Sequence, residues 1–152
     1  MTDHDFMALA LAEAKRAGLR GEVPVGAILV KGGEVIASGS NAVIGLHDPT
    51  AHAEVLALRE AGQKLQNYRL PDCELFVTLE PCAMCAAAMI HARISRVVYG
   101  ASDPKTGAAG GLLNVFDTTF NHQTVVQGGV MAEECGSLLR DFFREKRAAA
   151  KG

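Results

Sequence analysis

Cys82 and Cys85 stand three residues apart in "EPCAMCAAAM", directly behind Pro81 and at the head of an apolar run. On a helix, an i, i+3 pair puts both thiols on one face. Three chemistries fit such a pair: a redox couple with a thiolate at a helix start, half of a metal site, or two buried hydrophobes. The other cysteines, Cys73 and Cys135, are isolated, so a structural four-cysteine zinc site lacks its second pair. A catalytic zinc needs three protein ligands and one open position, which directs attention to the five histidines. His4 lies near the chain start, His47 and His122 fall in predicted loops, and His91 sits near a helix C-terminus, where a cation is favourable. His52 differs. In "TAHAEV" it opens a predicted helix, with Glu54 two residues on. Within a helix, side chains two apart diverge by about 200°, so alone the pair reads as an ordinary surface His and Glu. At an open helix N-terminus both can reach over the end. His52, Cys82 and Cys85 then form three corners of a zinc site built on two helix starts, whose positive dipole ends favour thiolates. Glu54 is no ligand in this reading; it is the proton shuttle beside the open corner.

The elements that must position these residues follow from hydrophobic periodicity. Asp5 to Ala17 carries Phe6, Leu9, Ala10, Ala14 and Ala17 at helical spacing and ends before Gly18. "VPVGAILV" and "EVIASGS" flank "KGG" and read as a hairpin. "DPTAHAEVLALREAG" reads as a helix capped by Asp48 or Thr50 and stopped by Gly62. "ELFVTL" and "RISRVVYGA" are strands on either side of the cysteine helix "CAMCAAAMIHA", "TVVQGG" is a last strand, and Met131 to about Ala149 is a closing helix. Strands alternating with helices predict an α/β layered domain with a hairpin at one end of the sheet. Its 152 residues suit a single domain, 1–152, with about 147–152 frayed. Fifteen Lys and Arg against 17 Asp and Glu give a net charge of −2, so any nucleic-acid contact must come from a local patch. The acidic start "MTDHDFMALA" lacks the basic region of a signal peptide, and the longest apolar runs fall far short of the ~20 residues of a membrane span. A cytoplasmic protein with no membrane contact is expected.

H-x-E combined with P-C-x-x-C is far more specific than either half and is the pattern of zinc-dependent nucleobase deaminases. Beyond it, "EVPVGAILV", "TAHAEVLALR", "QNYRL", "TLEPCAMCAAAMIHARISRVVYGASDPKTGAAGGLLNV" and "LLRDFFREKR" resemble the bacterial tRNA-specific adenosine deaminases over nearly the whole chain. The zinc motif alone would equally fit deaminases of free guanine, cytosine or deoxycytidylate; "ASDPKTGAAGGL" and "DFFREKR" point to tRNA. The resemblance implies a three-layer cytidine-deaminase-like fold with a mixed five-stranded sheet between helices, one Zn2+ per subunit, a homodimer, and conversion of the wobble adenosine of a tRNA anticodon stem-loop to inosine. It also implies roles by position. His52, Cys82 and Cys85 match zinc ligands and Glu54 the proton shuttle. Asn41 matches a residue that holds the target nucleotide, Val25 and Leu79 match the base pocket, and Asp103 matches a loop near the sugar–phosphate backbone. Asn121, His122, Phe143 and Arg144 match regions that contact neighbouring anticodon nucleotides.

Four features keep alternatives open. The run Arg140, Arg144, Lys146, Arg147 and Lys151 is either an RNA contact or simply cations at a helix C-terminus. Of the adjacent Phe142 and Phe143, pointing to different faces, one is free to stack on a base. "TGAAGG" could offer backbone N–H groups to phosphate. The helix from Cys82 to Ala92 is apolar almost all round, so it requires cover on two sides, from this chain or from a twin subunit. A zinc-stabilised binding module is the rival from another class, but it gives Glu54 nothing to do.

Overall fold

The computed structural model describes residues 1–117 and 120–151. Helix α1 (Asp3–Leu19) leads into the hairpin β1 (Gly26–Lys31) and β2 (Glu34–Ser40); α2 (Ala53–Leu65), β3 (Cys73–Leu79), α3 (Ala83–His91), β4 (Arg96–Ala101), β5 (Val125–Gln127) and α4 (Ala132–Lys151) follow. The strands form one sheet in the order β2-β1-β3-β4-β5. The pairs β2/β1 and β1/β3 are antiparallel, whereas β3/β4 and β4/β5 are parallel. This is the mixed five-stranded sheet expected, with the hairpin at one end.

Alternation along the strands supplies both faces. Ala27 and Leu29, Leu75 and Val77, and Val97 pack with Ala53, Ala57 and Ala61 of α2 and Cys85, Ala86 and Met89 of α3. Ile28, Val30, Phe76 and Val98 point the other way and pack with Phe6, Met7, Ala10 and Leu11 of α1 and Cys135 of α4. The result is helices, sheet, helices. Cover for α3 on the sheet side thus comes from this chain.

Helix boundaries depart from the expected ones for local reasons. Helix α1 begins two residues early because Thr2 and Asp5 form a reciprocal capping box. The α2 cap is neither Asp48 nor Thr50. The Asp48 carboxylate instead accepts the backbone N–H and hydroxyl of Thr50 in the preceding turn, and His52 occupies the cap position with no side-chain cap bond. The helix also runs through Gly62 and closes at Gln66 in the left-handed region, φ 53°. A mid-helix glycine costs about 1 kcal/mol, which the packing of three alanines spaced four apart on the sheet offsets. Helix α4 runs to Lys151, through residues of high helix propensity with Lys151 in its last turn. Gly152 lies outside the described residues.

Two reversals of direction make β2 run the same way as β3 and β4, so their ends Ser40, Leu79 and Ala101 lie along one rim of the sheet. Helix α3 starts directly beyond β3, and α2 starts beside the end of β2. In α/β sheets, sites form beyond the carboxyl ends of the parallel strands, and here that rim carries both candidate helix starts.

Candidate active site

His52 and Cys82 are each the N-cap residue of their helix, with extended backbone (φ −73°, ψ 151° and φ −76°, ψ 175°). That conformation turns the side chain away from the helix barrel and over its open end. Neither side chain caps its own helix; both face the same point instead. The His52 Nδ1 atom lies 3.6 Å from Cys82 Sγ and 3.4 Å from Cys85 Sγ, and one donor atom from each of the three residues falls within 4.8 Å of the others. Bond lengths of about 2.0–2.3 Å to nitrogen and sulfur place the donors of a tetrahedral zinc roughly 3.5–3.8 Å apart. The nitrogen–sulfur separations fit, and so does the chemistry of two thiolates and an imidazole with no fourth protein ligand among the described residues.

Charge at this point is set by proximity. The Cys82 thiol is pushed down to about 4, first by the hydrogen bond from Cys85 and then by His52. Cys85 moves the other way, held protonated by its bond to the Cys82 sulfur, by burial and by Glu54. His52 is raised by its contact with Cys82, against the effect of burial. Glu54, 4% exposed on the first turn of α2, is pushed up to about 7, chiefly by burial. A carboxyl held near neutrality can both take and give a proton.

The donors sit at the floor of a cleft lined by Val25, Asn41, Val43, Ile44, Leu79, Asp103, Lys105 and one face of α4. Of the substrate positions expected from sequence, Val25, Asn41, Leu79, Asp103, Phe143 and Arg144 all line it. Asn41 is fixed from three sides. Its N–H donates to the Val25 carbonyl, its carbonyl accepts from Arg20, and its side-chain Oδ1 accepts the Ala53 N–H at 2.8 Å. With Oδ1 committed to a donor, the amide Nδ2 is the half left for the cleft. The Asp103 carboxylate folds back on its own loop, accepting from Lys105 N, Thr106 N and Thr106 Oγ1.

Asn121 and His122 do not join this group. His122 Nε2 bonds the Ile94 carbonyl at 2.7 Å, before the start of β4. Ala101, which lines the cleft, ends that strand, seven residues on and about 23 Å along an extended chain at about 3.3 Å per residue. Phe143 faces the cleft, 44% exposed, while Phe142 is not in its lining and lies edge-on to Phe143 beneath Lys146. "TGAAGG" keeps its N–H groups for the protein: Ala109 N and Gly111 N both donate to the buried Glu80 carboxylate. Sequence reasoning missed Glu80 and also Glu22, 4% exposed, which accepts from Ile44 N and Gly45 N and so holds the opposite lip. The available signal was a lone carboxylate in an apolar setting, twice, in "GEVPV" and "TLEPC".

With this geometry in hand, the chain can be compared with known proteins. The cytidine and deoxycytidylate deaminase zinc-binding region matches residues 1–101. The tRNA-specific adenosine deaminase of Haemophilus influenzae is 49% identical over 151 residues, covering 98% of this chain and 87% of the relative. The chain belongs to the tRNA-specific adenosine deaminase family. A solved structure from a study of A-to-I editing by tRNA:A34 deaminases at the wobble position of transfer RNA superposes with a TM-score of 0.84 at 48% identity, covering 89% of this chain and 99% of the other. The guanine deaminase of Nitrosomonas europaea shares the fold at 26% identity and a TM-score of 0.81, over 91% and 83% of the two chains. The deaminase thus carries a zinc centre of one ion per subunit, for which His52, Cys82 and Cys85 are the fitting donors.

Metal uptake must expel the protons that the empty donor set retains. Cys82 is already ionised at neutral pH, so the protons come from Cys85 and His52. Zinc affinity of the metal-free deaminase is therefore expected to fall as pH drops from about 8 to about 6, with more protons released per zinc at the lower pH. Calorimetric zinc titrations in buffers of different ionisation enthalpy measure both quantities.

Proposed function

We propose that this deaminase hydrolyses the wobble adenosine of a tRNA anticodon to inosine, releasing ammonia. The observation that carries the reading is the pairing of Glu54, buried beside the three metal donors, with a cleft whose outer wall is the cationic face of α4. Zinc, when held by His52, Cys82 and Cys85, supplies Lewis acidity that makes hydroxide available at neutral pH. The chain's residues do the rest. Glu54 takes a proton of the attacking water and delivers it to N1 of adenine as the C6–O bond forms, then takes the remaining proton from the C6 hydroxyl and hands it to the departing amine as the C6–N bond breaks, leaving the 6-oxo base and ammonia. Val25 and Leu79 pack on the base. Asn41 offers its amide N–H to an acceptor on the target nucleotide. Phe143 provides the ring on which a neighbouring base stacks, and Asp103 shapes the loop that meets the sugar–phosphate chain.

On α4, Arg140 is paired with Glu133 at 3.0 Å and Arg144 with Asp141 at 3.2 Å. Arg147 lines the same cleft and makes no ion pair among the described residues. It is the cation with the most charge to give a phosphate. A deaminase of free bases would have no use for this strip, which favours RNA over the guanine-deaminase reading. We also infer a cytoplasmic homodimer, because Ala83, Met84 and His91 leave the outer side of α3 exposed in one subunit.

Four outcomes are expected. Zinc-loaded protein converts adenosine to inosine in an anticodon stem-loop with adenosine at the wobble position, and leaves free adenosine, guanine, cytosine and deoxycytidylate untouched, read by nucleoside mass. Glu54→Gln keeps its zinc by metal analysis but loses at least about 10²–10⁴-fold in kcat; product from a free base alone overturns the substrate. Arg147→Ala lowers the slope of log binding constant against log salt by about 0.7 for this single-stranded loop, and Arg144→Ala lowers it less. Sedimentation at micromolar concentration gives twice the monomer mass; a stable monomer ends the dimer reading.

A further inference from the structure

Glu80 is 2% exposed, lies outside the metal donor set and has no part in the proton transfers above. Its carboxylate is fully used. Oε1 accepts from the Asp103 N–H at 2.9 Å and the Ser102 hydroxyl at 3.1 Å; Oε2 accepts from Ala109 N and Gly111 N, both at 2.8 Å. All four donors belong to the 102–111 segment, which lines the cleft with Ser102, Asp103, Lys105 and Thr106. The far side of the segment is tied to the metal-bearing helix start: Ala108 N donates to the Pro81 carbonyl, and Gly107 bridges Cys82. Two glycines make the wrapping possible. A Cβ at Gly107 would meet the Glu80 carboxylate, and one at Gly111 would meet both it and the Asp103 carbonyl.

We propose that Glu80 is a positioning residue whose buried carboxylate shapes the 102–111 loop for the substrate strand and fixes it in register with Cys82. Only a carboxylate serves. A glutamine presents one acceptor and one NH2 group, so one pair of loop donors would face another donor, at the cost of unmet buried hydrogen bonds. Burial of a carboxylate here is offset because four donors converge on it. The shape of the loop follows from these bonds alone; its meeting with RNA rests on the function proposed above.

The test uses Glu80→Gln and, as a variant that leaves the carboxylate in place, Gly111→Ala. In each, zinc content, amide exchange of 102–111 by mass spectrometry, and kcat and KM on the stem-loop are measured against the parent. Expected are one zinc per subunit, exchange in 102–111 faster by at least about tenfold with the rest of the fold protected, KM raised about tenfold and kcat within about threefold. Unchanged exchange and KM overturn the proposal. Loss of zinc from Glu80→Gln also overturns it, assigning Glu80 to the metal centre. A KM unchanged despite faster exchange overturns the substrate half. If the parent itself leaves the stem-loop unmodified, the RNA reading fails while the exchange data still decide the loop.

Discussion

The site depends on how closely α2 can approach the sheet. A Cβ at Gly39 on β2 would collide with the Ala53 carbonyl, and the Asn41 side chain two residues on takes the Ala53 N–H. A bare backbone therefore lets the first turn of the helix lie against the strand, and an amide fixes it there. That contact sets where His52 and Glu54 stand relative to β3 and the cysteine helix beyond it. His52 at one helix start meets Cys82 and Cys85 of the other at 3.4–3.6 Å only if both helices are fixed against one rigid sheet. Because interiors are close-packed, a shift of even one methyl group at Gly39 would be transmitted to the site.

Glutamate performs different work at three buried positions, and environment decides which. Glu80 sits among four donors and stays anionic below the usual carboxylate range. Glu54 is as buried, but its environment offers too little compensation, so its carboxyl rises to about 7. Glu22 holds two backbone N–H groups on the other lip of the cleft. Counting donors around each carboxylate separates the proton carrier from the loop anchors. The cleft therefore has lips that are each held by a buried glutamate accepting backbone N–H groups, and the carboxyl between them is the one that burial raises to about 7.

Legibility in the sequence tracked the range of the interaction. Periodicity placed every helix and strand, since alternation and 3.6-residue spacing are local properties, and the fitting zinc donors were readable because His52 and Cys82 each stand at a helix start and Cys85 follows Cys82 by three residues. What resisted were features that exist only between segments. The side chain that takes the free Ala53 N–H at the start of α2 belongs to Asn41, twelve residues earlier and just past β2, so the nearby Asp48 and Thr50 looked better than they are. Gly62 resembled a stop signal because the stripe of Ala53, Ala57 and Ala61 that carries the helix past it matters only against the sheet. The glycine loop looked like a phosphate cradle until Glu80 took its N–H groups. Resemblance placed Asn121 and His122 near the substrate, yet His122 is bound to Ile94 at the other end of β4.

A chain with a net charge of −2 must still hold a polyanion, and α4 resolves the conflict by geometry. Its cleft-facing residues recur at three- and four-residue spacing, from Ala132 and Gly136 in its first turns to Phe143, Arg144 and Arg147 farther along. Acids on the same helix neutralise Arg140 and Arg144 in the free protein, which limits the positive field felt by unrelated nucleic acids. The α4 cations thus line the same cleft as Glu54, the carboxyl proposed to carry the proton. Moving those cations inward would depress that carboxyl and weaken it as a proton acceptor.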